Sequence, residues 1–153
     1  LAQLAHRFAA RLGGIGALWM TLPSKRRLCY PGARIELVKT KWGGEKYAVT
    51  AMKASWKPKE GAKDWPRVVL WHGLLAENPT QAASADLLMD GLYECEQAGL
   101  AVVGHTHDEI MLESREPRRD AKLLKQIMEE NPSWAGGLPL AAETGSGFRY
   151  KAA

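Results

Sequence analysis

LAVVGHTHDEIMLES occupies residues 100–114. Two apolar runs, LAVV and IML, flank four polar side chains: His105, His107, Asp108 and Glu109. Read as strand, turn, strand, the chain reverses at His107-Asp108, between LAVVGHT and EIMLES. An aspartate suits such a tip because its side chain can bond the local backbone. Three chemistries fit the cluster. It can be a polar turn and nothing more. Asp108 with Glu109 beside it can offer hard oxygen ligands on a rigid ribbon, which suits Mg²⁺ keeping water or phosphate in its other positions. Or His105-x-His107-Asp108 can bind zinc, since alternate strand residues share a face. Zinc is poorly supplied, because only His6 and His72 remain and neither has a second ligand at useful spacing.

Upstream of this stretch, Asn78 has the features of a helix N-cap. Pro79 fits the first helical position and Gln81 the acceptor of a capping box. Ala85, Leu88, Met89 and Leu92 follow as an apolar stripe, and Gly99 is placed to end the helix. A second amphipathic helix is expected from Pro117 to Glu130, with Leu123, Leu124, Ile127 and Met128 inward and Asn131-Pro132 as its stop. The tail WAGGLPLAAETGSGFRY should hold one short strand. Upstream, LAQLAHRFAARL (1–12) has helical spacing, and ALWMTL and RLCYP read as a hairpin split by Pro23-Ser24-Lys25. RIELVKT, KYAVTAMKASW and RVVLWH form an expected antiparallel meander over 34–72. The class is α+β.

At 153 residues the chain can build a real core, and its 46% hydrophobic and 25% charged composition is that of a globular protein. A net charge of +4 and a sequence pI near 9.1 are compatible with a polyanionic partner. Cys29 and Cys95 lack CxxC spacing and read as reduced, partly buried thiols. No run approaches the roughly 18 apolar residues of a membrane span, so no membrane partner is expected. The six tryptophans (19, 42, 56, 65, 71 and 134) are scattered, which suggests core and loop anchors rather than a base-stacking row.

Three blocks in order, TLPSKRRLCYP (21–31), ENPTQAASADLL (77–88) and GHTHDEIMLE (104–113), followed by GLPLAAETGSGFRY (137–150), resemble the C-terminal part of a family A DNA polymerase of the bacteriophage type. The resemblance covers most of residues 17–151, with 34–70 matching by position only. It implies a palm-like fragment in which the motif C hairpin of an antiparallel sheet packs against helices. Asp108 would be a ligand of the catalytic Mg²⁺ pair, held about 3.5–4 Å apart in such two-metal sites. Glu109 would be a supporting carboxylate and His107 a neighbour of the primer end. Gln81 and Asn78 would face the duplex, and Arg26 and Arg27 would contact template phosphates. Primer-template DNA and a deoxynucleoside triphosphate would be the partners, in a bacterial or phage-infected cytoplasm.

The same family takes a second metal-binding aspartate from Asp-[Tyr/Phe]-Ser-x-x-Glu and binds nucleotide through RxxxKxxxFxxxYG. Neither string occurs here. With Leu1 rather than Met at its head, the chain is therefore expected to be a single C-terminal palm and fingers piece of a longer polymerase. Alone it should be catalytically incomplete, and it can self-associate through surfaces that the rest would cover. Lys25 stands where the family hairpin often has Gly, and Thr106 where an apolar residue is usual. The alternative is a stand-alone nucleic-acid-binding accessory module without catalysis.

Overall fold

The computed structural model describes residues 16–53 and 65–150, so the helix expected over 1–12 lies outside the described residues. The described part is α+β and falls into two compact units, divided between Pro79 and Thr80. The strands form three separate antiparallel sheets rather than one.

In the first unit β1 (Ala17–Thr21) pairs with β2 (Arg27–Pro31), with Trp19 opposite Cys29. The connection is the three-residue loop Pro23-Ser24-Lys25. Lys25 N–H donates to the Leu22 carbonyl at 3.0 Å and Leu22 N–H to the Arg26 carbonyl at 2.8 Å. Proline presets the first loop residue, and Lys25 closes the loop with a left-handed φ of 71°. Strand alternation turns Leu18, Met20, Leu28 and Tyr30 inward, onto a core of Tyr30, Ala33, Ala51 and Leu70. Trp19, Thr21, Arg27 and Cys29 face outward.

The meander is present as expected: β3 (Arg34–Lys39), β4 (Glu45–Met52) and β5 (Arg67–Val69), with β4 central. The first turn repeats the β1–β2 design, with Thr40 N–H bonded to the Gly44 carbonyl, Gly43 N–H to the Thr40 carbonyl, and Gly43 at φ 83°. The part of KASW beyond Lys53 lies outside the described residues. At the other end Lys53 N–H donates to the Pro66 carbonyl at 2.9 Å. Arg67 then fastens the sheet. Its guanidinium donates to the Gly32 carbonyl at 2.8 Å, to Thr50 Oγ1 at 2.7 Å and to Glu36 Oε2 at 3.1 Å. Thr50 Oγ1 also donates to Glu36, and Arg34 Nη2 lies 2.5 Å from Glu36 Oε1. This polar cluster holds the Glu36 carboxyl down to about 2, chiefly through the Thr50 and Arg34 bonds.

Helix α1 (His72–Gln97) corrects the sequence reading. It starts six residues before Asn78, with a Leu75 N–H bond to the Trp71 carbonyl at 3.1 Å, and Pro79 lies in its interior. An interior proline costs about 3 kcal/mol. Leu74 and Leu75, in the turns upstream of it, are partly buried against the strand core, and that burial offsets part of the cost. Asn78 is therefore an interior residue, not an N-cap, and Gln81 is not its capping partner. The buried residues of α1 are Leu88, Gly91 and Cys95. The expected stripe is rotated: Leu88 is buried, whereas Ala85 and Met89 are exposed. Gly99 ends the helix as expected, at φ 73°, with Gly99 N–H on the Glu96 carbonyl and Leu100 N–H on the Cys95 carbonyl.

In the second unit β6 (Val102–Thr106) and β7 (Glu109–Leu112) form the expected hairpin. Helix α2 (Pro117–Glu129) has Leu123, Leu124, Ile127 and Met128 half-buried, as read from the sequence. Ser114 serves its N-terminus by accepting from Glu116 N–H at 2.9 Å and donating to Asp120 at 2.5 Å. A short 3₁₀ turn spans Ser133–Ala135. No strand forms in the described tail, contrary to expectation. Its glycines and Pro139 are poor ladder residues, and it is tied instead by side chains: Glu129 accepts from Ala142 N–H at 3.1 Å. A Cβ on Gly91 would lie 3.1 Å from Met128 Sδ and 3.7 Å from Ile110 Cδ1. Helix α1 thus meets the hairpin at Ile110 and α2 at Met128.

Candidate active-site hairpin

The β6–β7 ladder closes at Thr106↔Glu109, which leaves His107 and Asp108 as the two loop residues. A hairpin this tight needs a positive φ, and His107 supplies it at 53°. The sequence places the conformational burden on the aspartate; the structure places it on the histidine. A positive φ at the first loop position alone is the type II′ pattern. The ladder also slips between Val102 and Gly104, a bulge that leaves Val103 as the extra residue. Val103 is exposed, and Gly104 lets Met111 come within 3.1 Å of where a Cβ would stand.

Asp108 is exposed at the turn and Glu109 half-buried beside it. Both line an open groove of about 2010 Å³, walled by α1, the hairpin, α2 and the tail. The partner of Glu109 escaped the sequence reading. Tyr150 donates its phenol proton to Glu109 Oε2 at 2.8 Å, 41 residues away in sequence. That carboxylate raises the Tyr150 pKa above its usual value, since ionising the phenol would forfeit the bond. Only the separation of the pair in sequence conceals it.

His105 and His107 are both exposed, His105 opposite Ile110 in the ladder. Among the described residues no group of three or more His, Cys, Asp or Glu side chains is placed to hold a metal ion. The zinc reading thus gains no support, with His6 outside the described residues and the His72 ring edge-on to Trp71 at 5.4 Å. Nor do Asp108 and Glu109 by themselves fit a complete Mg²⁺ site, being two carboxylates where more donors are needed.

The other expected contact residues divide between the units. Gln81 is exposed on α1 and belongs with the hairpin in the second unit. In the first unit Asn78 is half-buried and donates to Tyr30 Oη at 3.3 Å. Arg26 and Arg27 are exposed at the β1–β2 loop, with the Arg27 guanidinium 5.1 Å from the centre of the Trp19 ring. Among the described residues no helix is long and apolar enough to cross a membrane.

No family model matches the chain, and no solved structure does. Among curated proteins, the DNA polymerase of Bacillus phage SP02 is 35% identical to it over 128 residues. A match of that length leaves 25 of the 153 residues unmatched, so it spans the 102–112 hairpin wherever it begins. It covers 84% of this chain but 18% of the phage polymerase, so the chain corresponds to under a fifth of that relative's length and is similar to a part of a DNA polymerase.

Proposed function

We propose that the chain forms part of a DNA-directed DNA polymerase of family A, contributing one carboxylate anchor and part of the duplex-binding surface to template-directed nucleotidyl transfer. The likeness to a phage DNA polymerase over 84% of the chain carries this reading. The tight His107-Asp108 turn supports it, because a rigid two-residue loop presents Asp108 at a fixed position to a groove. Asp108 is the metal-binding carboxylate, Glu109 its supporting neighbour, and His107 the residue nearest the primer end. Gln81, Asn78, Arg26 and Arg27 are the DNA contacts. Mg²⁺ would supply charge compensation at the completed site, whose other donors come from a polymerase region upstream of these motifs.

Primer extension by the complete polypeptide containing this chain tests the reading. Asp108→Asn keeps the side-chain shape, removes the charge, and should lower extension by about a thousandfold or more. Extension within tenfold of wild type would remove Asp108 from the site. The isolated chain should show no extension.

The incomplete donor set favours a second reading, a nucleic-acid-binding module without catalysis. It requires that Asp108→Asn leave DNA affinity unchanged and that no longer polypeptide containing the chain extend a primer.

A further inference from the structure

The outward face of the β1–β2 hairpin has no place among the core contacts. Alternation puts Trp19, Thr21, Arg27 and Cys29 on that face, with Lys25 at the loop beyond them. A tryptophan is costly to leave in water, yet Trp19 is 53% exposed, while its strand neighbours Leu18 and Met20 pack on the core. Arg27 lies over the indole at 5.1 Å, which holds a guanidinium beside an aromatic surface. Lys25 adds a second exposed cation, fixed at the loop by its left-handed backbone.

We propose that this face binds a single strand of nucleic acid, with Trp19 stacking on an unpaired base and Arg27 and Lys25 contacting the flanking phosphates. Aromatic rings interleaved with cations suit single strands, because every base offers a π-face whereas a duplex conceals its own. A duplex could use the cations but not the indole. The proposal rests on the polymerase reading for its biological setting, where the strand would be unpaired template, and extends the DNA contacts from Arg26 and Arg27 to Trp19.

The test is fluorescence anisotropy of the 153-residue chain with labelled oligothymidylate and with a labelled duplex, at low salt. Trp19→Ala should weaken oligothymidylate binding about tenfold and duplex binding less than twofold. Arg27→Gln should flatten the salt dependence of single-strand binding by roughly 0.7 in the log–log slope, one phosphate contact's worth. Cys29, directly across the ladder from Trp19, gives a measurement on the unaltered chain. An oligothymidylate carrying an activated disulfide on a base should label Cys29 at least tenfold faster than the same disulfide on a free nucleoside. Equal labelling rates, or no effect of Trp19→Ala on oligothymidylate, would overturn the proposal and point to a protein covering this face. Duplex binding that persists in that case leaves the polymerase reading standing. Trp19-dependent single-strand binding with no duplex binding would count against the polymerase reading alone.

Discussion

Lys25 and Gly43 occupy the same place in two hairpins: each is the third residue of a three-residue loop, at φ 71° and 83°. Left-handed backbone costs an ordinary side chain about 1–2 kcal/mol and glycine almost nothing. Glycine gives back part of this through the greater freedom of its unfolded chain. Lys25→Gly should therefore stabilise the fold by about 0.5–1 kcal/mol, and Gly43→Ala should destabilise it by about 1 kcal/mol. Thermal unfolding of both variants beside wild type checks the pair; a lower midpoint for Lys25→Gly would show that the lysine side chain contributes more than its backbone costs.

Glu36 makes stability depend on acid. Its carboxyl sits at about 2 in the fold against an ordinary 4.5, so the unfolded chain binds the proton more readily. Its contribution is fully present above pH 4.5, declines as pH falls below that value, and is lost near pH 2. Glu36→Gln should flatten the denaturation midpoint against pH between those values, while lowering stability at neutral pH. An unchanged slope in urea titrations across that range would mean that other carboxylates carry the acid sensitivity.

The cysteines should react at very different rates. Cys29 is exposed, whereas Cys95 is fully buried and its thiol is pushed up by burial and by Glu96 and Glu94. An aromatic disulfide reagent should consume one thiol promptly and the second only on unfolding. The sequence reading of two partly buried thiols holds for neither residue. Two fast equivalents in the native chain would show that the α1 packing at Cys95 opens readily.

Gly91 sits at a close approach of α1 to Met128 and Ile110. Leucine there would drive into Met128 and Ile110 and should cost about 1–3 kcal/mol. Alanine asks only the flexible Met128 to yield by a few tenths of an ångström and gains about 1 kcal/mol of helix propensity. Chemical denaturation should therefore rank alanine at or above wild type and leucine clearly below both.

What could be read from sequence was local. The two hairpins announce themselves by alternation around PSK and HD, the second helix by its stripe of Leu123, Leu124, Ile127 and Met128, and the end of α1 by Gly99. The start of α1 was misread because Asn78-Pro79 carries a strong N-terminal signal. The leucines that override it act through a core assembled from distant strands. The scatter of the tryptophans suggests anchors, yet Trp19, Trp42, Trp65 and Trp71 are all at least half-exposed, since hydrophobicity alone does not say which strand face is covered. The bonds Arg67–Glu36 and Tyr150–Glu109 join residues 31 and 41 apart, and no periodicity encodes such a pairing. In the candidate site, the sequence shows the turn and the place of Asp108 on it, but neither the strain at His107 nor the tie on Glu109.

The bond from Lys53 N–H to the Pro66 carbonyl, with Arg67 fastened just beyond it, makes a closed neck at the point where the chain leaves and re-enters the three-stranded sheet. The register of β4 against β5 is therefore pinned from beyond the last ladder pair, Met52↔Arg67, as well as within it. A one-residue slip of either strand would break the Lys53 bond and turn Arg67 away from Gly32, Thr50 and Glu36 together.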